Sequence, residues 1–216
     1  MTMTTTMNPD MKFQALAQPW WVNLLIFVPL LVYLVWRHKG PELTWRQLFA
    51  LSTFAWAFGF AEASVVVYLR AAVGLLPGFQ GTLAEVQRSI SSYDQSKSIR
   101  QFPPSLLTIE GYREAATIVM LLSLTLLAAR RTRERWAVFL WTFAFWDISY
   151  YAGLWAAIRW PGSLTEFDVL FLIPAPWVAQ VWFPLLVSTL TLLAVASTTR
   201  WRTPDRMISP TGPVDR

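Results

Sequence analysis

Acidic side chains inside apolar segments are the residues of this chain best suited to chemistry. Glu62 and Asp147 each lie well inside a long apolar run, and Glu110 and Glu114 lie near the start of another. If these runs cross a bilayer, a charge at its centre costs about 2.5–3.5 kcal/mol, so each acid needs a protein or water partner. Buried acids of this kind hold a proton, bind a cation or join a polar network.

Helical geometry turns Glu62 toward other helices. Ala55, Gly59 and Ala63 recur every four residues and form a small-residue face that lets another helix approach closely. Glu62 lies about 20° from Ala55 on this face, because successive residues of a helix are about 100° apart. The sequence therefore predicts that Glu62 points into a helix bundle.

The other candidate residues also share helix faces. Glu110, Arg113 and Glu114 are three and four residues apart, so we expect the guanidinium of Arg113 to sit between the two carboxylates. A second stripe combines the acid Asp147 with the phenols of Tyr150 and Tyr151. Asp168 joins the group only if its segment folds inward. The predicted buried polar network comprises Glu62, Arg70, Glu110, Arg113, Glu114, Asp147, Tyr150, Tyr151 and Asp168.

Carboxylates outnumber cations in this predicted network. Five carboxylates face two guanidinium groups, those of Arg70 and Arg113. Three functions stay open: a structural network that fixes helix register, a proton or cation site for transport, and a catalytic site that uses Glu62, Glu114 and Asp147. We expect a non-catalytic accessory or structural subunit rather than an enzyme. The alternative is a membrane-embedded enzyme or a proton- or cation-coupled carrier.

Missing residue types exclude many cofactors. The chain has no cysteine and a single histidine, His38, which excludes iron–sulfur clusters, thiolate zinc sites and bis-histidine haem. A retinal Schiff base is excluded because the lysines, Lys12, Lys39 and Lys97, lie outside the apolar runs. Any metal would have oxygen ligands only, which favours a divalent cation such as calcium, magnesium or manganese. We assign no metal site from the sequence.

Composition places these residues in a membrane protein. Hydrophobic residues make up 55% of the chain and charged residues 14%, against about 45–50% and about 25% in soluble domains. Five apolar runs approach the length of about 20 residues that crosses a bilayer. The predicted order is a polar tail at 1–19, a membrane domain at 20–200 with spans at 20–36, 47–69, 109–129, 136–158 and 177–197, and a tail at 201–216.

The distribution of lysine and arginine predicts the orientation. Eleven of them fall on the side that holds the linkers 37–46 and 130–135, and seven fall on the other side. The richer side faces the cytoplasm, which puts the N-terminus outside and the C-terminus inside. Because the basic residues lie in short groups between apolar runs, the net charge of +5 indicates topology rather than nucleic-acid binding. The expected partners are the lipid bilayer and other membrane subunits.

Two short surface helices are predicted on the outer side. Thr82-Leu83-Ala84-Glu85, in the long connection after the second span, has the spacing of a capping box at a helix start. Ser163-Leu164-Thr165-Glu166 repeats this pattern before the fifth span, in the segment 163–176. The predicted fold is an all-α integral membrane bundle of five transmembrane helices with two short outer interfacial helices.

Three segments carry a family resemblance: Glu110-Gly-Tyr-Arg-Glu-Ala-Ala-Thr, Trp146-Asp-Ile-Ser-Tyr-Tyr and Asp168-Val-Leu-Phe-Leu-Ile-Pro-Ala-Pro-Trp177. They resemble segments of an uncharacterised family of small bacterial integral membrane proteins, and the similarity covers most of the chain from the second span onward. The resemblance implies a multi-pass protein of the bacterial cytoplasmic membrane and implies no activity.

Overall fold

Helices dominate the structure, a computed structural model that describes residues 16–90 and 101–201. The all-α prediction is therefore confirmed. A 3-10 helix at Trp20–Phe27 runs directly into the first α-helix. The α-helices of the described residues are Val28–Trp36 (α1), Trp45–Ala72 (α2), Leu83–Ser89 (α3), Pro104–Ala128 (α4), Thr132–Ile158 (α5) and Trp182–Thr198 (α6). Residues 1–15 and 202–216 of the predicted tails, with Lys12, lie outside the described residues, and so does Lys97.

The helices differ in whether their length and apolar composition suit a membrane span. Within the described residues, α2 and α4 are long and apolar enough to do so. Trp20–Trp36 and α6 are apolar but shorter. Helix α5 is 27 residues long, and three of its four charged residues, Arg133, Glu134 and Arg135, lie in its first turn, whereas Asp147 lies near its middle. A helical segment overlaps each of the five predicted spans, and two of these helices have the length and composition of a membrane span.

Helices α2 and α5 pack closely through small residues. Ala55 and Ala63 are buried, and Ser149 of α5 donates a hydrogen bond to the carbonyl of Ala55 at 3.1 Å. A Cβ atom on Gly59 would come 2.5 Å from the carbonyl oxygen of Trp146. The small-residue face predicted on α2 is therefore confirmed, and it fixes the depth at which Glu62 meets the rest of the bundle.

Helix α4 has a polar buried face. Its buried residues are Glu110, Glu114, Thr117, Leu121 and Thr125, which recur at helical spacing along one side. The opposite side exposes large apolar side chains: Ile109, Tyr112, Val119, Met120, Leu122, Leu126 and Leu127. This pattern reverses that of a helix on the surface of a water-soluble protein, whose apolar stripe faces the core.

The first of the two predicted surface helices is present as α3. The Thr82 N–H donates to the Glu85 carboxylate at 2.9 Å, as in a capping box. Val86 is buried against the core, and Gln87 donates to the carbonyl of Ala157 at 3.0 Å. Helix α3 therefore packs against the end of α5.

The second predicted surface helix is wrong. The segment contains a strand, Phe167–Phe171 (β2), which pairs antiparallel with Trp177–Gln180 (β3) in a hairpin. Aromatic and β-branched residues favour a strand there, and Pro174 and Pro176 cannot continue a helix. The fifth predicted span, 177–197, is wrong at its start for the same reason, because β3 precedes α6 and the helix begins only at Trp182.

At the end of the bundle away from the hairpin, polar contacts join the segment between α1 and α2 to the starts or ends of other helices. Glu42–Leu43 (β1) pairs in parallel with Arg200–Trp201 (β4). Arg131 forms an ion pair with Glu42 at 3.3 Å, and Arg200 donates to the carbonyl of His38 at 2.7 Å. His38 therefore takes part here through its backbone, far from the acidic residues of the predicted network.

Candidate functional site

One cavity gathers the predicted polar network. All nine residues of that network line it, with a volume of about 100 Å³. Its wall comes from the 3-10 helix, α2, α4, α5, the hairpin and α6. Glu62 lies ten residues before the end of α2, a distance of about 15 Å at 1.5 Å per residue. The cavity therefore lies inside the helix bundle, and Glu62 marks its depth from the end that carries the hairpin.

Arg113 joins two helices through two carboxylates. Its Nη1 donates to Glu62 on α2, and its Nε donates to Glu110 on its own helix. Thr117, one turn further along α4, donates its hydroxyl to the other oxygen of Glu62. Arg113 thus hydrogen bonds to Glu110 as predicted, whereas its second hydrogen bond goes to Glu62 on the neighbouring helix. Glu114 is close enough for its charge to attract Arg113.

Glu114 contacts the hairpin. Its carboxylate accepts a hydrogen bond from the Leu172 N–H at 2.7 Å. Leu172 directly follows β2, where the strand pairing has ended, so its N–H needs an acceptor outside the ladder. Glu114 is itself buried, with 8% of its surface exposed. This contact fastens the hairpin to α4 across the cavity.

Asp147 and Asp168 contact different elements. Asp147 on α5 accepts a hydrogen bond from Ser188 of α6 at 2.7 Å. Asp168 on β2 accepts from the Tyr151 hydroxyl at 2.9 Å. Asp168 is buried, so its segment does fold inward, the condition on which it was predicted to join the network. It does so from a strand rather than from a helix.

Arg70 is the second cation of the cavity wall. It is buried, and its guanidinium lies over the ring of Phe102, 5.4 Å from the ring centre. It also lies close enough to Glu110 for their opposite charges to attract. The two guanidinium groups therefore stand on the side of the cavity formed by α2 and α4.

An aromatic wall, formed by Phe143, Trp146, Tyr150, Phe171 and Trp177, lines another part of the cavity. The ring centres of Trp146 and Phe171 are 6.3 Å apart, and those of Phe171 and Trp177 are 5.3 Å apart. Among the described residues, the indole N–H groups of Trp146 and Trp177 are buried without a hydrogen-bond partner. The wall thus combines ring faces with two donors that protein atoms leave unused.

Sequence reasoning missed two polar residues of the site, Thr117 and Ser188. Both belong to buried polar faces, Thr117 with Glu110 and Glu114 on α4, and Ser188 with Thr191 on α6. Helical spacing from Glu114 would have identified Thr117. Ser188 carried no such signal, because its helix has no charged residue to mark the inward face.

The acids surround the cavity instead of converging on one point. Within 16–90 and 101–201, no group of three or more acidic or histidine residues is placed to hold a metal ion. The wall therefore offers dispersed carboxylate oxygens, aromatic faces and indole donors. This arrangement suits the retention of protons or the binding of an organic cation better than metal coordination.

Comparisons of the chain with protein-family models, curated proteins and solved structures found no match. The resemblance to small bacterial membrane proteins stays a prediction from its sequence motifs.

Proposed function

We propose that the protein is an integral membrane protein whose five longer helical segments cross a bilayer. The reversed pattern of α4 carries this proposal. Helix α4 buries the acidic side chains of Glu110 and Glu114 and leaves the apolar side chain of Leu127 87% exposed. In water this arrangement is unfavourable, because acids prefer the solvent and large apolar side chains prefer the protein interior. In a bilayer, the apolar side faces lipid and the polar side faces protein. Helix α2 has the same character, with Phe49 66% exposed and Glu62 buried.

We place it in the bacterial cytoplasmic membrane, with the N-terminus outside and the C-terminus in the cytoplasm. The asymmetry of lysine and arginine along the sequence supports this orientation. Arg37, Arg46 and Arg131 are exposed at the end of the bundle away from the hairpin, which would be the cytoplasmic end. The family resemblance supports the bacterial location. In this orientation the cavity lies in the outer half of the membrane.

The function that we propose is the binding of a small ligand in the carboxylate-lined cavity, the role of a carrier or of a membrane enzyme. One observation carries it: nine polar residues surround an open space instead of filling it. A network that served only to fix helix register would gain from close packing, since protein interiors have few voids larger than a water molecule. Binding a ligand requires such a space.

A single cysteine tests whether the cavity opens to solutes. The chain has no cysteine, so Ser188→Cys would place one thiol beside Asp147. We expect the small neutral reagent methyl methanethiosulfonate to modify this thiol completely in the purified, folded protein, because a binding site must admit its ligand. Mass spectrometry of the intact protein measures the modification.

Two matched variants bracket that result. Gln80→Cys places the thiol on an exposed loop and should react fully. Val138→Cys places it at a fully buried position outside the cavity wall and should not react. If Ser188→Cys stays as unreactive as Val138→Cys while Gln80→Cys is modified, the cavity is closed and the binding function is wrong.

A second candidate is a non-catalytic accessory subunit whose polar network fixes its own helices. The specific observation in its favour is that each carboxylate joins different elements, as Glu114 joins α4 to the hairpin and Asp147 joins α5 to α6. Co-purification of other membrane subunits in gentle detergent, undiminished by Asp147→Asn, would favour this candidate. A monodisperse protein that carries a bound small molecule would favour ligand binding.

A further inference from the structure

We propose that the ligand of the cavity is a small organic ammonium compound that also carries an oxygen acceptor, such as an amino alcohol. This inference rests on the proposed binding function and names the chemistry of its ligand. Its ammonium group lies between Asp147, Glu114 and the aromatic wall, and its oxygen accepts from an indole N–H. The charges, the rings and the volume of the cavity each support a part of this assignment.

The excess of carboxylates in the cavity wall favours a cationic ligand. Five carboxylates and two guanidinium groups line it. Arg113 carries one positive charge against three carboxylates, because it hydrogen bonds to Glu62 and Glu110 and its charge also attracts Glu114. The hydrogen bonds that Glu114 and Asp147 accept come from neutral groups, a backbone N–H and a serine hydroxyl. A buried carboxylate is costly without an opposite charge. A cationic ligand beside Glu114 and Asp147 would supply it.

The surroundings favour an organic cation over a metal ion. The acidic residues of the described part of the chain do not converge as metal ligands do. Trp146, Tyr150 and Phe171 line the same cavity, and aromatic faces attract ammonium groups through the negative face of the ring. Asp147 directly follows Trp146 in the chain, so the acid and the indole come from the same turn of α5.

The indole donors explain the need for an oxygen acceptor. Trp146 keeps only 8% of its surface exposed, and its N–H has no partner among the described residues. Trp177, which also lines the cavity, has a second such N–H. A buried donor without an acceptor is costly. A ligand hydroxyl, ether or carbonyl oxygen would accept this bond.

The volume limits the ligand to a few non-hydrogen atoms. The cavity holds about 100 Å³, whereas an engineered protein cavity of about 150 Å³ binds benzene. A quinone or pigment with its tail is therefore too large, and a compound of the size of choline or ethanolamine is near the limit. The side chains of the hairpin residues Phe171 and Trp177 form the wall nearest the proposed outer surface.

Choline and its uncharged analogue 3,3-dimethylbutan-1-ol test this inference directly. The two molecules have nearly the same shape and hydroxyl, and only choline carries a charge. By isothermal titration calorimetry of the full chain in nanodiscs, at constant ionic strength, we expect saturable binding of choline. The neutral analogue should bind at least about ten-fold more weakly, a factor that corresponds to about 1.4 kcal/mol.

Three variants locate the binding. Asp147→Asn should weaken choline binding at least about ten-fold, since it removes a buried counter-charge without changing shape. Trp146→Phe keeps a ring but removes the N–H and the larger indole face, so it should weaken binding as well. Glu42→Gln makes the same carboxylate-to-amide change at the far end of the bundle and should leave binding unchanged. A thermal unfolding transition like that of the wild type shows that each variant is folded.

Several outcomes would overturn the inference. Equal binding of choline and its neutral analogue would mean that the charge is not recognised, and equal binding by wild type and folded Asp147→Asn would mean that the site is elsewhere. If Asp147→Asn does not fold, the wild-type comparison of the two compounds decides alone. Absence of binding of both choline and the smaller ethanolamine, with Ser188→Cys still reactive, would refute the ammonium ligand and leave the binding function standing. An unreactive Ser188→Cys would refute both.

Discussion

Arg113 donates to Glu62 on α2 and to Glu110 on its own helix, so two buried carboxylates share one guanidinium. Replacing it with alanine leaves Glu62 without this counter-charge and leaves Glu110 with the attraction of Arg70 alone. Breaking a fully buried pair costs about 3–5 kcal/mol, and we expect a loss toward the lower value because the Arg113 side chain keeps 27% of its surface exposed. Thermal unfolding of Arg113→Ala in detergent measures this loss.

A double variant checks the pairing. Glu62→Gln in the Arg113→Ala background removes the carboxylate charge that Arg113→Ala leaves without its partner, so the double variant should unfold at a higher temperature than Arg113→Ala alone. Glu42→Gln, at the other end of the bundle, serves as the control and should add its own small effect independently. Simple additivity of Arg113→Ala and Glu62→Gln would mean that the two residues are not coupled.

For individual residues, the sequence predicted which side chains face the interior but not all of their hydrogen-bond partners. Each of the nine predicted residues lines the cavity, because helical spacing decides the face on which a side chain lies. Spacing within α4 could not predict that Arg113 would also hydrogen bond to Glu62. That contact depends on how far α2 lies from α4 and on their relative height, which no local pattern contains.

The contact between α2 and α5 depends on two glycines that meet the opposite helix. A Cβ atom at Gly153 would lie 3.0 Å from the Cβ of Ala63, and one at Gly59 would lie 2.5 Å from the Trp146 carbonyl oxygen. Gly59→Ala therefore forces backbones apart, and overpacking of this kind costs about 1–3 kcal/mol. We expect a lower midpoint of thermal unfolding.

Gly111 provides the matched control for this prediction. Its added Cβ would meet only a side-chain methyl of Ile173, at 3.5 Å, which is ordinary contact. Alanine also favours a helix over glycine by about 0.8–1.0 kcal/mol, so Gly111→Ala should leave stability unchanged or raise it. Equal effects of the two substitutions would show that Gly59 is not at a close helix contact.

The two capping-box patterns show why local sequence predicted one short helix and failed on the other. Glu166 accepts hydrogen bonds from the N–H groups of Gly162 and Ser163, at 3.0 and 3.2 Å, so its carboxylate does turn back on the chain. No helix follows, because Phe167–Phe171 finds a strand partner in Trp177–Gln180 beyond two prolines. Glu85, by contrast, lies in the first turn of a helix that does form, α3. Strand pairing is a longer-range interaction than capping.

For the whole molecule, the distribution of surface residues separates two ends and a middle. The middle exposes large apolar side chains on α2, α4 and α6, such as Phe60, Val119 and Leu190. One end carries the arginines near β1 and β4, and the other carries the hairpin and α3 above the cavity. Composition predicted the apolar middle, and charge asymmetry predicted the two ends. The depth and shape of the cavity followed from helix contacts that composition does not contain.

This arrangement predicts opposite accessibility for two single cysteines. Gln80 is exposed in the connection between α2 and α3, and Thr132 is exposed at the start of α5, at the other end of the bundle. With the N-terminus outside, a small membrane-impermeant maleimide should label Gln80→Cys in intact bacterial cells and Thr132→Cys only after permeabilisation. The chain has no cysteine of its own, so the unmodified protein provides the blank.

Labelling of Thr132→Cys alone in intact cells would reverse the orientation and move the cavity to the cytoplasmic half. If the protein appears in the soluble fraction of broken cells without detergent, and neither cysteine is labelled before lysis, the membrane location itself is wrong.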